Sequence, residues 1–516
     1  MRRNEAKSYR LTQSAGTRGL LPLVGATVVF AGIFCVLASA QEPEAKSVTI
    51  RWDKPMVTSK STATLQVVVN PMTEPGSPIH DGAFAALKDL GADYVRYVPW
   101  LPYPRLAVAE LEPPTKTGTS WDFTRIDPMT KDFMAATEGH PVILNFSTMP
   151  AWLFKTDKPI TYPADPDQPY WDYTQGTELV DPTGKQLGDY YARLVSWYTK
   201  GGFTDENGVR HESGFHYKIP VWEALNEPEF EHKTTPKQYT ERYDAIVGAI
   251  HKVSPETKFM GMALAMPSLV PDYFEYFLDP KNHKPGIPID YISYHFYASP
   301  TADQTIADWQ YTFFDQADGF LHTVRYAEAI RKRLSPHTKV DLDELGVILA
   351  DGIGNPPLKP YPAAYWNLAG AMYAYLYIET AKMQIDLVGE SQLVGYPTQF
   401  PSVTMIDWTN GKPNARYEVL KLIKNNFGPG DKLLETGLPG AFGSDVAAQA
   451  FQTAHGKKLL LVNKRDKKIE LPLPAEAEHA TVAVVDEKSG EADARAVSVE
   501  GGKVSLNPFA VMVVSW

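Results

Sequence analysis

Cysteine is all but missing: the 516 residues hold one, Cys35, inside an apolar N-terminal stretch. The rest of the chain can form no disulfide, no thiol nucleophile and no thiolate metal site. Without covalent staples, stability has to come from a large core, which this length can supply. Net positive charge is absent too. A formal charge of −11 argues against nucleic acid or an anionic membrane surface as the main partner, since both recruit Lys and Arg. The chain has no internal repeat and no low-complexity segment.

The motifs of several chemistries are also missing. His211 and His216 are five apart, whereas a zinc-binding helix needs four to place both on one face. Gly389-Glu390-Ser391-Gln392-Leu393 lacks the closing Gly of a nucleophile elbow. Gly352-Ile353-Gly354 lacks the third Gly and the strand-helix setting of a dinucleotide fingerprint, and no phosphate-binding loop is visible. The expectation is no metal and no organic cofactor.

Long apolar runs are confined to residues 19–37, behind a basic start of Arg2, Arg3, Lys7, Arg10 and Arg18 and ahead of Ala38-Ser39-Ala40. This pattern predicts an export signal over 1–40, a mature start at Gln41 and a periplasmic or extracellular location. Nineteen apolar residues could also span a bilayer, so an uncleaved membrane anchor is the alternative.

What the chain has in quantity is aromatic side chains, 12% of the total with 11 Trp and 27 Tyr. Such rings pack cores and also stack on flat ligands. From 62 to 427, strand-like and helix-like runs alternate. Strand runs fall at 63–69, 92–98, 141–147, 217–225, 258–264, 288–296, 339–344 and 386–393. Helical runs include 81–90, 189–198, 236–253, 323–334 and 363–381, with a last one at 415–426. Eight such units predict an α/β fold, a (β/α)8 TIM barrel with its active site at the C-terminal strand ends. After 428 the runs are short and β-type, at 457–463, 468–472, 480–485 and 510–516, which predicts a C-terminal antiparallel β-sandwich. The segment 41–61 is expected to add a strand to it near 48–51, followed by a turn at Asp53-Lys54-Pro55.

Two of the predicted strands end on acids. Trp222-Glu223-Ala224-Leu225-Asn226-Glu227-Pro228 presents Glu227 at the mouth of the fourth, and Asp341-Leu342-Asp343-Glu344-Leu345-Gly346 presents Glu344 at the end of the seventh. Glycoside hydrolysis needs two carboxylates flanking the scissile bond, one to protonate the leaving oxygen and one to attack or to activate water. Strand alternation puts Glu344 on one face with Val340 and Leu342, read as barrel-facing, and Asp341 and Asp343 on the other. Glu223 reads as a buried acid paired to Arg96. Loops at 155–181 and 351–362 should lie on the catalytic face. Trp100, Tyr103, Trp152, Tyr170, Trp171 and Tyr396, at strand ends or beyond them, are candidates for touching sugar.

Leu225-Asn226-Glu227-Pro228 with Asp343-Glu344-Leu345-Gly346 resembles the retaining glycoside hydrolases of clan A. Phe123-Thr124-Arg125-Ile126-Asp127, Asn145-Phe146-Ser147-Thr148-Met149-Pro150 and the appended sandwich make the chain most similar to glycoside hydrolase family 39, which holds β-xylosidases and α-L-iduronidases. The resemblance implies that Glu227 is the general acid/base, Glu344 the nucleophile and Asn226 a partner of the sugar 2-hydroxyl. It implies that Arg96 holds Glu344 ionised and that His295 and Tyr297 line the same floor. The chain departs from the family with Glu229 after Asn-Glu-Pro, with Asp343 where Thr is usual, and with Gly389-Glu390-Ser391-Gln392 where the clan often has a Trp. The expected partner is an oligosaccharide or polysaccharide. A non-catalytic carbohydrate-binding protein or a transglycosylase on the same scaffold are the alternatives.

Overall fold

The computed structural model of the chain describes residues 46–171, 176–349, 361–490 and 492–516. The predicted export signal and most of the 351–362 loop lie outside the described residues. Among the described residues no helix is long and apolar enough to cross a membrane.

The chain enters on β1 (Thr49–Thr58), then starts the barrel with β2 (Thr62–Val68), α1 (His80–Leu90), β3 (Val95–Val98), α2 (Pro104–Ala107), α3 (Ile126–Ala136) and β4 (Val142–Leu144). Next come α4 (Lys185–Thr199), a small hairpin of β5 (Gly202–Thr204) and β6 (Arg210–Glu212), and then β7 (Val221–Glu223) with α5 (Pro236–Val253). The barrel is completed by β8 (Lys258–Leu264), α6 (Asp272–Phe277), β9 (Tyr291–Ala298), α7 (Ile306–Leu334), β10 (Lys339–Val347), α8 (Ala363–Met383), β11 (Leu387–Glu390) and α9 (Ala415–Asn426). Eight parallel strands close in the order β10-β11-β2-β3-β4-β7-β8-β9. They are the eight runs expected from the sequence.

Local chemistry sets the helix starts. Thr235 and Gln238 form a reciprocal capping box ahead of α5, with Pro236 at the first helical position. The Asn414 side chain accepts from Arg416 N–H at the start of α9.

Past α9 the chain forms β12 (Lys432–Gly437), β13 (Val446–Thr453), β14 (Gly456–Asn463), β15 (Ile469–Pro472), β16 (Thr481–Val485), β17 (Arg495–Val497), β18 (Lys503–Leu506) and β19 (Val511–Ser515). A seven-stranded sheet, β1-β12-β13-β14-β19-β16-β17, packs across the β15–β18 pair. Leu459 and Leu461 on β14 join the sandwich core, while Leu460 and Val462 on its other face join the core shared with the barrel. The centre of the large sheet is therefore covered on both sides, and β14 is apolar on both faces from Leu459 to Val462. The expected turn at Asp53-Lys54-Pro55 does not form. β1 runs through it, absorbing the irregularity as register shifts against β12 between Arg51 and Val57.

Inside the barrel the side chains change character along the strands. The lower layer is apolar: Ile143, Val221, Met260, Tyr291 and Leu387. Two residues onward on the same faces stand Asn145 on the loop after β4, Glu223 on β7, Ser293 on β9 and, two beyond inward-facing Asp341, Asp343 on β10. This alternation places polar groups toward the C-terminal mouth.

Candidate active site

Arg96 on β3 is fully buried and organises the mouth. Its Nε donates to Glu223 Oε2 at 2.5 Å and lies 3.0 Å from Asp343 Oδ2. Nη1 donates to Gln66 Oε1 at 2.7 Å and to Glu344 Oε1 at 2.6 Å, and Nη2 donates to Asn226 Oδ1 at 2.7 Å. One guanidinium thus connects β2, β7, β10 and the loop after β7 through charge-assisted bonds. Glu223 also accepts from Asn145 Nδ2 at 2.6 Å and from the Ser293 hydroxyl. Burial, partly countered by Arg96, pushes the Glu223 carboxyl up to about 7.

Glu344 receives two donors on separate oxygens, Arg96 on Oε1 and the Tyr297 hydroxyl on Oε2, the latter at 2.6 Å. Glu344 faces the barrel interior as expected, but the expected facing of the other β10 residues is reversed. Val340 and Leu342 pack outward in the barrel-helix core, whereas Asp341 and Asp343 point inward. Glu344 reaches the interior because the register slips between Asp341 and Glu344, where three β10 residues are matched by two on β9. Gly389 on β11 leaves room for it, since a Cβ there would lie 3.1 to 3.3 Å from the Asp343 backbone. Burial opposes charge on Asp343, but Arg96 and His295 outweigh it and hold the carboxyl below its ordinary range.

Glu227 stands on a turn after β7 where Leu225 (φ 70°) and Glu227 (φ 43°) both take left-handed conformations, sparsely populated for such residues. Its N–H donates to the Ala263 carbonyl at 2.9 Å, fixing the turn to β8. The side chain is 14% exposed, and its Oε1 is 3.0 Å from His295 Nδ1. The same Nδ1 is 3.5 Å from Glu344 Oε2, and His295 Nε2 is 3.5 Å from Asp343 Oδ1. Burial alone would lower the imidazole pKa, but the charges of Glu344 and Asp343 raise it well above the ordinary value. Burial raises the Glu227 carboxyl, His295 lowers it and the Glu344 charge raises it again, leaving it above its usual range. Single ligating atoms of Glu227, His295 and Glu344 all lie within 4.8 Å of one another, a spacing that would also hold a cation.

Asn226 is held at both ends of its amide, with Oδ1 on Arg96 and Nδ2 donating to Glu231 Oε1 at 3.0 Å. The same Glu231 oxygen accepts from the Trp100 indole at 2.5 Å. Trp100 stands edge-on to Trp171, centroids 5.8 Å apart, and lies near-parallel to Phe400 at 6.1 Å, so three loops build one aromatic wall beside the carboxylates. Where the clan often has a Trp after the eighth strand, Glu390 is buried against Arg416 at 2.8 Å and Ser391 hydrogen-bonds Tyr297 and Gln66.

The structure brings Glu227, Glu344, Arg96, Asn226, His295 and Tyr297 together and sets Trp100 at their edge. Trp152, partly buried, donates its indole N–H to the Glu110 carbonyl at 2.9 Å. Tyr103 is buried with its hydroxyl on Thr398. Gln66, Ser293, Ser391, Glu231 and Phe400 escaped the sequence reading.

The glycosyl hydrolases family 39 model matches residues 83–344, just over half of the chain, and a model described as the D-apionate lactonase C-terminal immunoglobulin-like domain matches 443–514. No curated protein matches. Among solved structures, a GH51 arabinofuranosidase from Xanthomonas axonopodis pv. citri is similar with TM-score 0.61 and 14% identity, over 91% of this chain and 99% of that one. An α-L-arabinofuranosidase from Thermotoga maritima gives 0.58 and 15% over 91% and 99%, and a GH30 endoxylanase from Clostridium papyrosolvens gives 0.53 and 13% over the same shares. At such identities these structures share the fold with this chain.

Proposed function

The chain belongs to the glycosyl hydrolases of family 39 and is a glycosidase, and we propose that it is an exported, retaining one that acts on oligosaccharide or polysaccharide by double displacement. The observation that carries the mechanism is the spacing of Glu227 and Glu344, with an oxygen of each inside 4.8 Å. Such proximity favours a covalent mechanism, whose carboxyl groups stand roughly 5 to 5.5 Å apart, over an inverting one, whose carboxyl groups stand about 6.5 to 9.5 Å apart to admit a water.

In the first step Glu344, oriented by Arg96 and Tyr297, attacks the anomeric carbon while Glu227 gives its proton to the departing oxygen. The carbon–oxygen bond to the leaving group breaks as the bond to Glu344 forms. In the second step Glu227 takes a proton from water, which attacks the same carbon and releases Glu344. Asn226, fixed by Arg96 and Glu231, is placed for the sugar 2-hydroxyl, and Trp100 with Trp171 and Phe400 offers a stacking wall. The proposal uses no metal. Arg96 supplies the fixed positive charge.

A panel of aryl glycosides, with NMR of the first-formed product, tests this reading. Retained configuration is expected; an inverted product overturns the mechanism. Export rests on residues 1–40, and N-terminal sequencing of protein from its native cell should start at Gln41.

A further inference from the structure

Large apolar side chains stand uncovered on two neighbouring loops at the catalytic mouth. Phe230, three residues past Glu227, is 62% exposed; Met266 and Leu269, beyond β8, are 50% and 72% exposed. Hydrogen bonds join the two loops. Met266 N–H donates to Glu229 Oε1 at 2.9 Å, and Glu227 N–H donates to Ala263 O at 2.9 Å. Within the loops, Phe230 N–H donates to Glu227 O and Leu269 N–H to Met266 O, each at 2.9 Å. The result is an ordered ledge that starts at the acid/base turn.

Its position assigns its occupant. The oxygen that Glu227 protonates leaves with the alcohol, so the surface continuous with the Glu227 turn meets the leaving group. The sugar that becomes attached to Glu344 meets Tyr297, whose hydroxyl donates to Glu344, and Asn226, held by Arg96. A sugar in the leaving position would call for a flat ring with polar partners, yet two of the three ledge side chains, Met266 and Leu269, are aliphatic. We propose, resting on the glycosidase reading above, that Phe230, Met266 and Leu269 form the leaving-group site and favour an alcohol with an apolar aryl or alkyl body over a second sugar.

The test uses ethyl, butyl and octyl glycosides of the sugar that the aryl panel identifies, whose leaving alcohols differ in apolar length far more than in acidity. The glycosyl fluoride, whose leaving group has no body to touch the ledge, is the reference. For the wild-type chain kcat/KM should rise with alkyl length, octyl exceeding ethyl by about tenfold or more. In Phe230→Ser/Leu269→Ser the octyl-to-fluoride ratio of kcat/KM should fall toward the ethyl value; both side chains are exposed, so folding is not at issue. A flat series with the fluoride turned over, a disaccharide outperforming the octyl glycoside, or a variant whose ratio stays at the wild-type value overturns this inference alone. A wild-type chain that hydrolyses neither fluoride nor any glycoside overturns the site reading beneath it.

Discussion

Asp343 and Glu344, consecutive in the chain, both reach the guanidinium of Arg96, at 3.0 and 2.6 Å. Neighbours on a regular strand point to opposite faces, so this pairing exists only because β10 bulges there. The bulge adds a second anion under the nucleophile position, and that anion also faces His295. Asp343 is therefore assigned as a positioning residue that keeps His295 protonated between the catalytic carboxyls. Asp343→Asn should move the His295 titration to lower pH by NMR and lower kcat by roughly 10- to 100-fold, the worth of a hydrogen bond to a charged group. An unshifted His295 titration would remove Asp343 from that role.

Buried acids make stability depend on pH in a defined direction. Burial pushes Glu223, Glu229 and Glu390 up to about 7 and Glu110 up to about 8, from an ordinary 4.5. Each binds its proton more tightly folded than unfolded, so each adds stability that is complete below 4.5 and is lost as pH rises through 7 to 8. Asp343, held low, works in the opposite direction, but only below its ordinary 3.8. Tm should fall from about pH 5 to about pH 8. Asp341, raised by burial and with no hydrogen-bond partner among the described residues on either oxygen, adds to that loss, and Asp341→Asn should reduce it. A Tm that is flat or rising over this interval contradicts the assignment.

The barrel was legible because its strands are short apolar runs separated by helices with strong ends. α5 and α9 match their sequence-based ranges residue for residue, and each has a side-chain cap. α7 was read only from 323, whereas it starts at Ile306; the earlier turns carry Ile306, Trp309, Phe313, Phe314 and Ala317 at helical spacing, a stripe the sequence reading passed over. Glu227 and Glu344 were visible as acids ending strands. The inward facing of Asp343 beside Glu344 was not, because a bulge leaves no mark on an alternating pattern. Gln66, Ser293 and Ser391 are small polar residues whose roles arise only from barrel closure, which puts the last within 2.8 Å of the first.

Glu231 is a carboxyl that should behave as a neutral group. Burial, with the Glu227 charge added, raises it well above its ordinary range, while its Oε1 accepts from Trp100 and Asn226. A neutral amide can accept the same two bonds. Glu231→Gln should keep most of the activity, whereas Glu231→Ala, losing two hydrogen bonds of about 0.5 to 1.5 kcal/mol each, should lose roughly 10-fold or more in kcat/KM. If Gln proves as damaging as Ala, the group is ionised and its placement of Asn226 is electrostatic.

The two catalytic carboxyls are separable by leaving group. Glu344 forms a bond to every substrate, so Glu344→Ala should lose nearly all activity whatever departs. Glu227 matters to the first step only as far as the leaving oxygen needs a proton, so Glu227→Ala should keep much of that step for an activated aryl glycoside and lose it for an unactivated one. The same variant lacks its base in the second step, and the glycosyl-enzyme should accumulate. Azide attacks without a base, so it should restore turnover of Glu227→Ala and yield a glycosyl azide of retained configuration. Removing the Glu344 charge has a separate signature, because that charge raises Glu227: in Glu344→Gln the Glu227 carboxyl should titrate at lower pH by carbon NMR. Two variants equally dead on activated substrates, with azide rescuing neither, would reverse these assignments; wild-type activity in both would move the catalytic pair elsewhere.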